Sequence, residues 1–257
     1  MLRISLVDFL NARPLTWGLL HEPPPGVSVS RDTPSVCADK LARGQVDVGL
    51  IPSIEYQRIP GLRVVPSLGI AASSEVRSVL LVASVSREKI RSVSLDPASR
   101  TSAALVRILL KRVYGLSPDY QSPDPADARL IIGDPALKTR LNGQVVLDLA
   151  AEWRAFSGHP FVFAFWAVQE TAAAPEVAQM LRRSYEAGLS HFGSLVREES
   201  AQSSLSEPVI EDYLRHALHY ELNAGDLAGL ELFYRMAAEE GLIEVGRPLQ
   251  FVSPLSS

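Results

Sequence analysis

The run Val46-Asp47-Val48-Gly49-Leu50-Ile51, closed by Pro52 and Ser53, constrains the fold more than any other stretch of the chain. It is nearly continuous in apolar residues, the pattern of a strand covered on both faces by helices in a parallel sheet. The flanking sequence supplies the helices and further strands. Residues 4–9 read as strand, and Pro14 suits the first turn of the helix that follows. Residues 21–26 contain three successive prolines and form a loop. Residues 27–30 read as strand, and residues 34–42 as helix, with Thr33 as cap, Pro34 in the first turn and Gly44 as stop. Residues 62–70, 78–84, 93–95, 130–132 and 145–147 continue the strand series. Such alternation predicts an α/β fold with right-handed crossovers.

The last third changes character. Residues 175–198, 208–222 and 226–241 read as helices, with apolar spacing at Leu214, Leu218 and Leu222 and at Leu230, Phe233 and Ala237. A helical C-terminal segment packed on an α/β body implies two lobes. Residues 78–84 and 161–168 are the segments expected to cross between them. The expected division is a discontinuous first lobe, residues 1–84 and 169–257, and a second lobe, residues 85–168, with the ligand cleft at the seam.

Composition narrows the partners. The chain has 257 residues, 47% of them hydrophobic, and a formal net charge of −4, which disfavours nucleic acid because phosphate binding leaves a basic excess. Cys37 is the sole cysteine, so an internal disulfide is excluded. No basic region precedes an apolar stretch at the N-terminus, and the longest apolar run, residues 161–168, is too short to span a bilayer. The expectation is a cytoplasmic protein with no membrane partner. No phosphate-binding loop, dinucleotide fingerprint or nucleophile elbow is present, so no cofactor is expected. His216 and His219 lie three apart on an expected helix face without the partners of a metal site, and no metal is expected. The oligomeric state is open.

Candidate site residues cluster at strand-to-helix junctions. Ser99-Arg100-Thr101-Ser102 precedes a helix with apolar positions Ala104, Leu105, Ile108, Leu109 and Val113. A helix N-terminus presents unpaired N–H groups and partial positive charge, and three added hydroxyls suit a carboxylate or phosphate; capping is the alternative reading. Asn11 and Arg13 follow the first strand, at the end where open α/β sheets bind ligands. Asn11 either supports a turn or meets the ligand, and Arg13 either grips a carboxylate or lies on the surface. Ser53 ends the run that opened this section, with Glu55 and Tyr56 beyond it as cover for the next helix. Gly133 permits close backbone approach, and Asp134 is a natural cap for a helix starting at Pro135. Of Trp153, Phe161, Phe163 and Trp166, strand alternation lets one or two at most line a cleft. His159 sits in the loop before the aromatic strand.

Residues 9–15, 47–56, 96–110, 131–137 and 160–166 together, and in this order, resemble the signatures of the chorismate dehydratases of the futalosine route to menaquinone. The likeness covers nearly the whole chain. It implies a two-lobed α/β fold similar to type II periplasmic solute-binding proteins. It implies a carbon–oxygen lyase that removes water from chorismate to give 3-[(1-carboxyvinyl)oxy]benzoate. Phe9 stands in place of the family's tyrosine, Gln45 where glutamate is common, and His159 where an aliphatic residue is frequent, which argues against His159 as an essential base. On this resemblance Asn11 is the expected catalytic contact, and Ser53, Ser78, Ser99, Thr101, Ser102, Arg13, Asp134 and Phe163 the expected substrate-binding set. Chorismate is a dianion whose loss of water yields a benzene ring, so orientation and charge stabilisation suffice. With no evident base, the substrate's own enolpyruvyl carboxylate is the expected proton acceptor. Two other readings stand beside this one: a non-catalytic binder or sensor of a small aromatic carboxylate, and the sister enzyme of the same route that forms a naphthoate.

Overall fold

A computed structural model describes residues 1–120, 125–139, 143–244 and 246–253 and divides the strands between two sheets. In chain order the strands are β1 (Leu2–Val7), β2 (Val27–Asp32), β3 (Val48–Pro52), β4 (Leu62–Ala72), β5 (Val79–Ala83), β6 (Val93–Ser94), β7 (Ala128–Ile132), β8 (Val145–Asp148), β9 (Phe161–Gln169) and β10 (His219–Glu221). The helices are α1 (Arg13–His21), α2 (Pro34–Ala42), α3 (Glu55–Arg58), α4 (Arg100–Arg112), α5 (Asp134–Lys138), α6 (Leu149–Ser157), α7 (Pro175–Ser190), α8 (Phe192–Gln202), α9 (Glu207–Asp212) and α10 (Ala224–Glu239).

The first sheet has six strands in the order β10-β4-β9-β3-β1-β2 and the second has four, β6-β7-β5-β8. All five residues of β3 are buried, as its apolar run requires. Its two neighbours differ: it pairs parallel with β1 and antiparallel with β9. The first sheet is therefore mixed, because β9 re-enters it from the second lobe running the other way. This is the two-lobed α/β architecture expected from the sequence.

The strands that border the crossings lie elsewhere than expected. β5 pairs with β7 and β8 in the second sheet, whereas β9 pairs with β3 and β4 in the first. The expected boundaries at 84 and 168 assigned each strand to the opposite lobe. Both strands are apolar at nearly every position and each lies between two partners, so periodicity cannot tell which sheet takes which strand. The chain passes between sheets in the segment between β4 and β5 and again between α6 and β9.

The C-terminal third also departs from the expected three helices. Residues 175–198 form two, α7 and α8, separated at His191. Residues 208–222 begin as α9, widen into a π-helical turn over Tyr213–Ala217, and then extend into β10, which pairs antiparallel with β4. The leucine spacing in this segment is overridden by the edge of the sheet, whose unpaired backbone groups β10 satisfies. His219 consequently leaves the expected helix face: its ring Nε2 lies 2.8 Å from the buried Asp226 carboxylate. Asp226 also accepts the Asn223 N–H, closing a capping box that starts α10. α1 crosses α7 closely, since a Cβ on Gly188 would stand 2.2 Å from the Pro14 carbonyl oxygen.

Candidate active site

The carboxyl ends of β1 and β3, the start of β5, the end of β7 and the N-terminus of α4 converge on one cavity between the sheets. It offers about 50 Å³ of space to the centre of a water-sized sphere and is partly open to solvent. After β1 the chain turns through Leu10–Ala12, a single 3₁₀ turn that carries Asn11 to the cavity wall. Phe9 packs its ring where a Cβ on Gly133 would come within 3.2 Å, so glycine at the end of β7 permits the approach of the two lobes. The backbone there has φ of +65°, which glycine adopts without strain.

Five of the nine expected site residues line this cavity together: Asn11, Ser78, Ser99, Ser102 and Phe163. Their chemistry is neutral throughout. Among the described residues none on the wall carries an ionisable side chain; the remainder, such as Val7, Pro52, Ile70 and Ile132, are apolar. The Asn11 side-chain oxygen is buried and has no hydrogen-bond partner among the described residues. Such an orphaned polar atom costs about 1–3 kcal/mol unless a ligand pairs with it. Ser99 caps α4 by accepting the Ser102 N–H at 3.3 Å and donates its own hydroxyl proton to Ser102 Oγ at 2.7 Å. The capping and ligand readings of this motif are thus compatible. Ser78 Oγ accepts a 2.7 Å hydrogen bond from the Tyr213 hydroxyl. Burial pushes the Tyr213 phenol well above its ordinary range, and it keeps its proton.

The other four are engaged by the protein. Arg13 is buried, with Nε 2.6 Å from Glu199 and Nη2 2.7 Å from Asp8. Its expected carboxylate partner is therefore supplied twice by the chain itself, and it does not line the cavity. Asp134 begins α5, but its carboxylate accepts the Leu10 N–H at 3.1 Å instead of capping that helix. It binds the turn that carries Asn11 and does not line the cavity. Ser53 donates to the Val162 carbonyl at 2.8 Å, and Thr101 Oγ1 accepts the Ile54 N–H at 3.2 Å. Ser53 thus ties the end of β3 to β9, and Thr101 clamps the start of α4 to the residue after Ser53. Arg100 strengthens the clamp through ion pairs of 2.8 Å to both Glu55 and Asp39. Glu55 and Tyr56 are buried cover, as the sequence suggests.

Of the four aromatic residues only Phe163 reaches the cavity. Trp153, Phe161 and Trp166 are core: Trp153 and Phe161 form an edge-to-face cluster with Phe233, at centroid distances of 5.0–6.2 Å. Two contributors escaped the sequence: Tyr213, which acts on Ser78 from behind the wall, and Leu218, which lines the cavity. Both sit where an ordinary helix was expected, so no spacing signal pointed to them. Among the described residues no group of three or more His, Cys, Asp or Glu side chains is arranged to hold a metal ion. Nor is any described helix long and apolar enough to cross a membrane.

Comparison with known proteins agrees with this architecture. Residues 2–239 match the family model described as menaquinone biosynthesis. The chorismate dehydratase of Thermus thermophilus is 27% identical over 256 residues, covering 90% of this chain and 93% of that protein. The chorismate dehydratase of Campylobacter jejuni is 28% identical over 236 residues, covering 89% and 94%. Among solved structures, a structural-genomics protein from Archaeoglobus fulgidus superposes with a TM-score of 0.77 at 17% identity, over 94% of this chain and 98% of that one. The periplasmic aliphatic sulphonate binding protein of Escherichia coli superposes with a TM-score of 0.66 at 19% identity, over 100% and 95%. These likenesses establish a binding-protein-like fold.

Proposed function

The chain belongs to the menaquinone biosynthesis family, and from that premise we propose that it is a hydro-lyase that converts chorismate to 3-[(1-carboxyvinyl)oxy]benzoate and water. Two chorismate dehydratases, each aligned with about 90% of the chain, support the reaction class. Their role as biosynthetic enzymes fits the expected cytoplasmic location. The single observation that carries the reading is the cavity itself: a neutral, hydroxyl-bearing space in which the Asn11 amide oxygen is left without a partner.

Chorismate brings two carboxylates and one leaving hydroxyl. The carboxylates meet serine hydroxyls, with the N-terminus of α4 contributing its partial positive charge. The hydrogen removed lies on the ring carbon that bears the ether and is acidified through a double bond to the ring carboxylate. The enolpyruvyl carboxylate takes this proton. The neighbouring hydroxyl departs as hydroxide and, with that proton, becomes water. The electron pair of the broken C–H bond completes the benzene ring. Asn11 contacts the substrate near the reacting carbons, and its neutral amide does not repel the dianion. Aromatisation makes the step strongly downhill, so the protein's contribution is to fix a reactive conformer and stabilise charge in the cavity between the sheets.

The test is incubation of purified protein with chorismate, followed by ultraviolet absorbance and mass spectrometry. A benzenoid product one water lighter than chorismate is the expected result. Binding of chorismate without turnover would instead support a sensor, and activity only towards the substrate of the naphthoate-forming step would assign the sister reaction.

A further inference from the structure

Ser78 is held more tightly than a cavity serine needs to be. The residue before it, Arg77, has φ of +61°, a left-handed backbone seldom adopted outside glycine. Two contacts maintain it: the Asp148 carboxylate accepts the N–H groups of Val76 and Arg77 at 3.2 and 2.6 Å. From the C-terminal segment, two successive residues grip the same point, Asp212 on the Arg77 guanidinium at 2.6 Å and the Tyr213 hydroxyl on Ser78 Oγ at 2.7 Å. Strained backbone that persists under such over-determination is characteristic of functional positions. Tyr213 opens the π-helical turn, a distortion also concentrated at such positions.

The direction of the Tyr213 bond has a chemical consequence. A serine hydroxyl has one proton to give and two lone pairs. With the phenol donating, one lone pair of Ser78 is occupied, and no described residue accepts the Ser78 proton. That proton is left for the cavity. Ser102 repeats the arrangement, accepting from Ser99 while no described residue accepts its own proton. Ser78 and Ser102 are thus each turned into a donor by a second hydroxyl, Tyr213 from behind the wall and Ser99 from beside Ser102 on it.

Resting on the assignment of the cavity to chorismate, we propose that Tyr213 is a positioning residue that fixes Ser78 as a hydrogen-bond donor to a substrate carboxylate. A fixed donor is worth more than a rotating one, because an ionised acceptor gains from pre-orientation and a stray lone pair would repel it. The phenol acts on binding rather than on the reacting bonds, so its loss raises KM and leaves kcat nearly unchanged.

The experiment measures steady-state kinetics on chorismate for wild type, Tyr213→Phe, Ser78→Ala and the double variant, with a thermal melt of each. Ser78→Ala should raise KM about tenfold, the effect of one hydrogen bond to a charged group. Tyr213→Phe, which keeps the ring, should raise KM roughly fivefold with kcat within about twofold. The double variant should match Ser78→Ala in KM, because Tyr213 works only through Ser78. It should also melt above Ser78→Ala, whose phenol is left buried without an acceptor. This last pair decides the matter even where Tyr213→Phe alone does not fold. Wild type that turns over while Tyr213→Phe equals it in KM, or a double variant whose KM rises by the product of the single effects, overturns the role of Tyr213. Wild type that makes no benzenoid product overturns the reaction itself and this role with it.

Discussion

Asn11 is the residue on which the cavity's chemistry turns. Its side-chain oxygen is buried and unpaired, and every wall position around it is neutral. Asn11→Asp places a negative charge against a dianion in a poorly solvated space, where the repulsion at about 4 Å is on the order of several kcal/mol. Chorismate affinity should fall at least tenfold, measured by calorimetric titration; an unchanged Kd and kcat would remove Asn11 from the site. Neutrality also governs the pH profile. With no ionisable group among the described residues of the wall and the Tyr213 phenol pushed up by burial, kcat/KM should be flat between about pH 6 and 9, with none of the limbs that an essential acid and base produce. Asn11, Ser99 and Ser102 were legible because a strand-to-helix junction announces itself locally. Arg13 and Asp134 misled for the same reason: their partners, Glu199 and Leu10, are 186 and 124 residues away, beyond the reach of any local pattern.

At the scale of single elements, α1 and α4 carry opposite kinds of charge logic. α1 holds Arg13 between Asp8 and Glu199, and removing the guanidinium takes it from Glu199 while Asp8 keeps Arg31. Arg13→Leu should cost about 3 kcal/mol, the penalty of breaking a buried pair, seen as a lowered denaturation midpoint with KM within about twofold of wild type. A large rise in KM at unchanged stability would return Arg13 to the substrate. α4 instead turns neutral groups, Ser99 and Ser102, to the cavity. Ser99→Ala removes both the cap and the hydroxyl that turns Ser102 outward, so it should lower stability by about 1 kcal/mol and raise KM together. A stability loss with no change in KM would reduce Ser99 to a cap. The limits of sequence reading are clearest in residues 208–222. Helical spacing was real there, but the free edge of β4 takes the end of the segment as a strand, and the π-helical turn that results places Tyr213 behind Ser78.

For the whole molecule, the two-lobed plan was legible because buried strands alternating with helices admit few topologies. Which strand joins which sheet was not, since β5 and β9 are each buried on both sides. Contacts between the lobes join segments separated by 45 to 124 residues in sequence: Asp134 with Leu10, Thr101 with Ile54, and Arg100 with Glu55 and Asp39. None of these charges is offered to the cavity, and the chain as a whole carries a formal net charge of −4. A dianion approaching this protein therefore climbs a weak repulsive potential and finds no fixed cation waiting. Raising ionic strength from about 0.01 to 0.15 M shortens the screening length from roughly 30 to 8 Å. Encounter with chorismate should then quicken or stay constant in stopped-flow traces, the reverse of a pocket built on arginines. Added electrolyte would slow capture only if a positively charged side chain, hidden from the walls described above, drew the anion in.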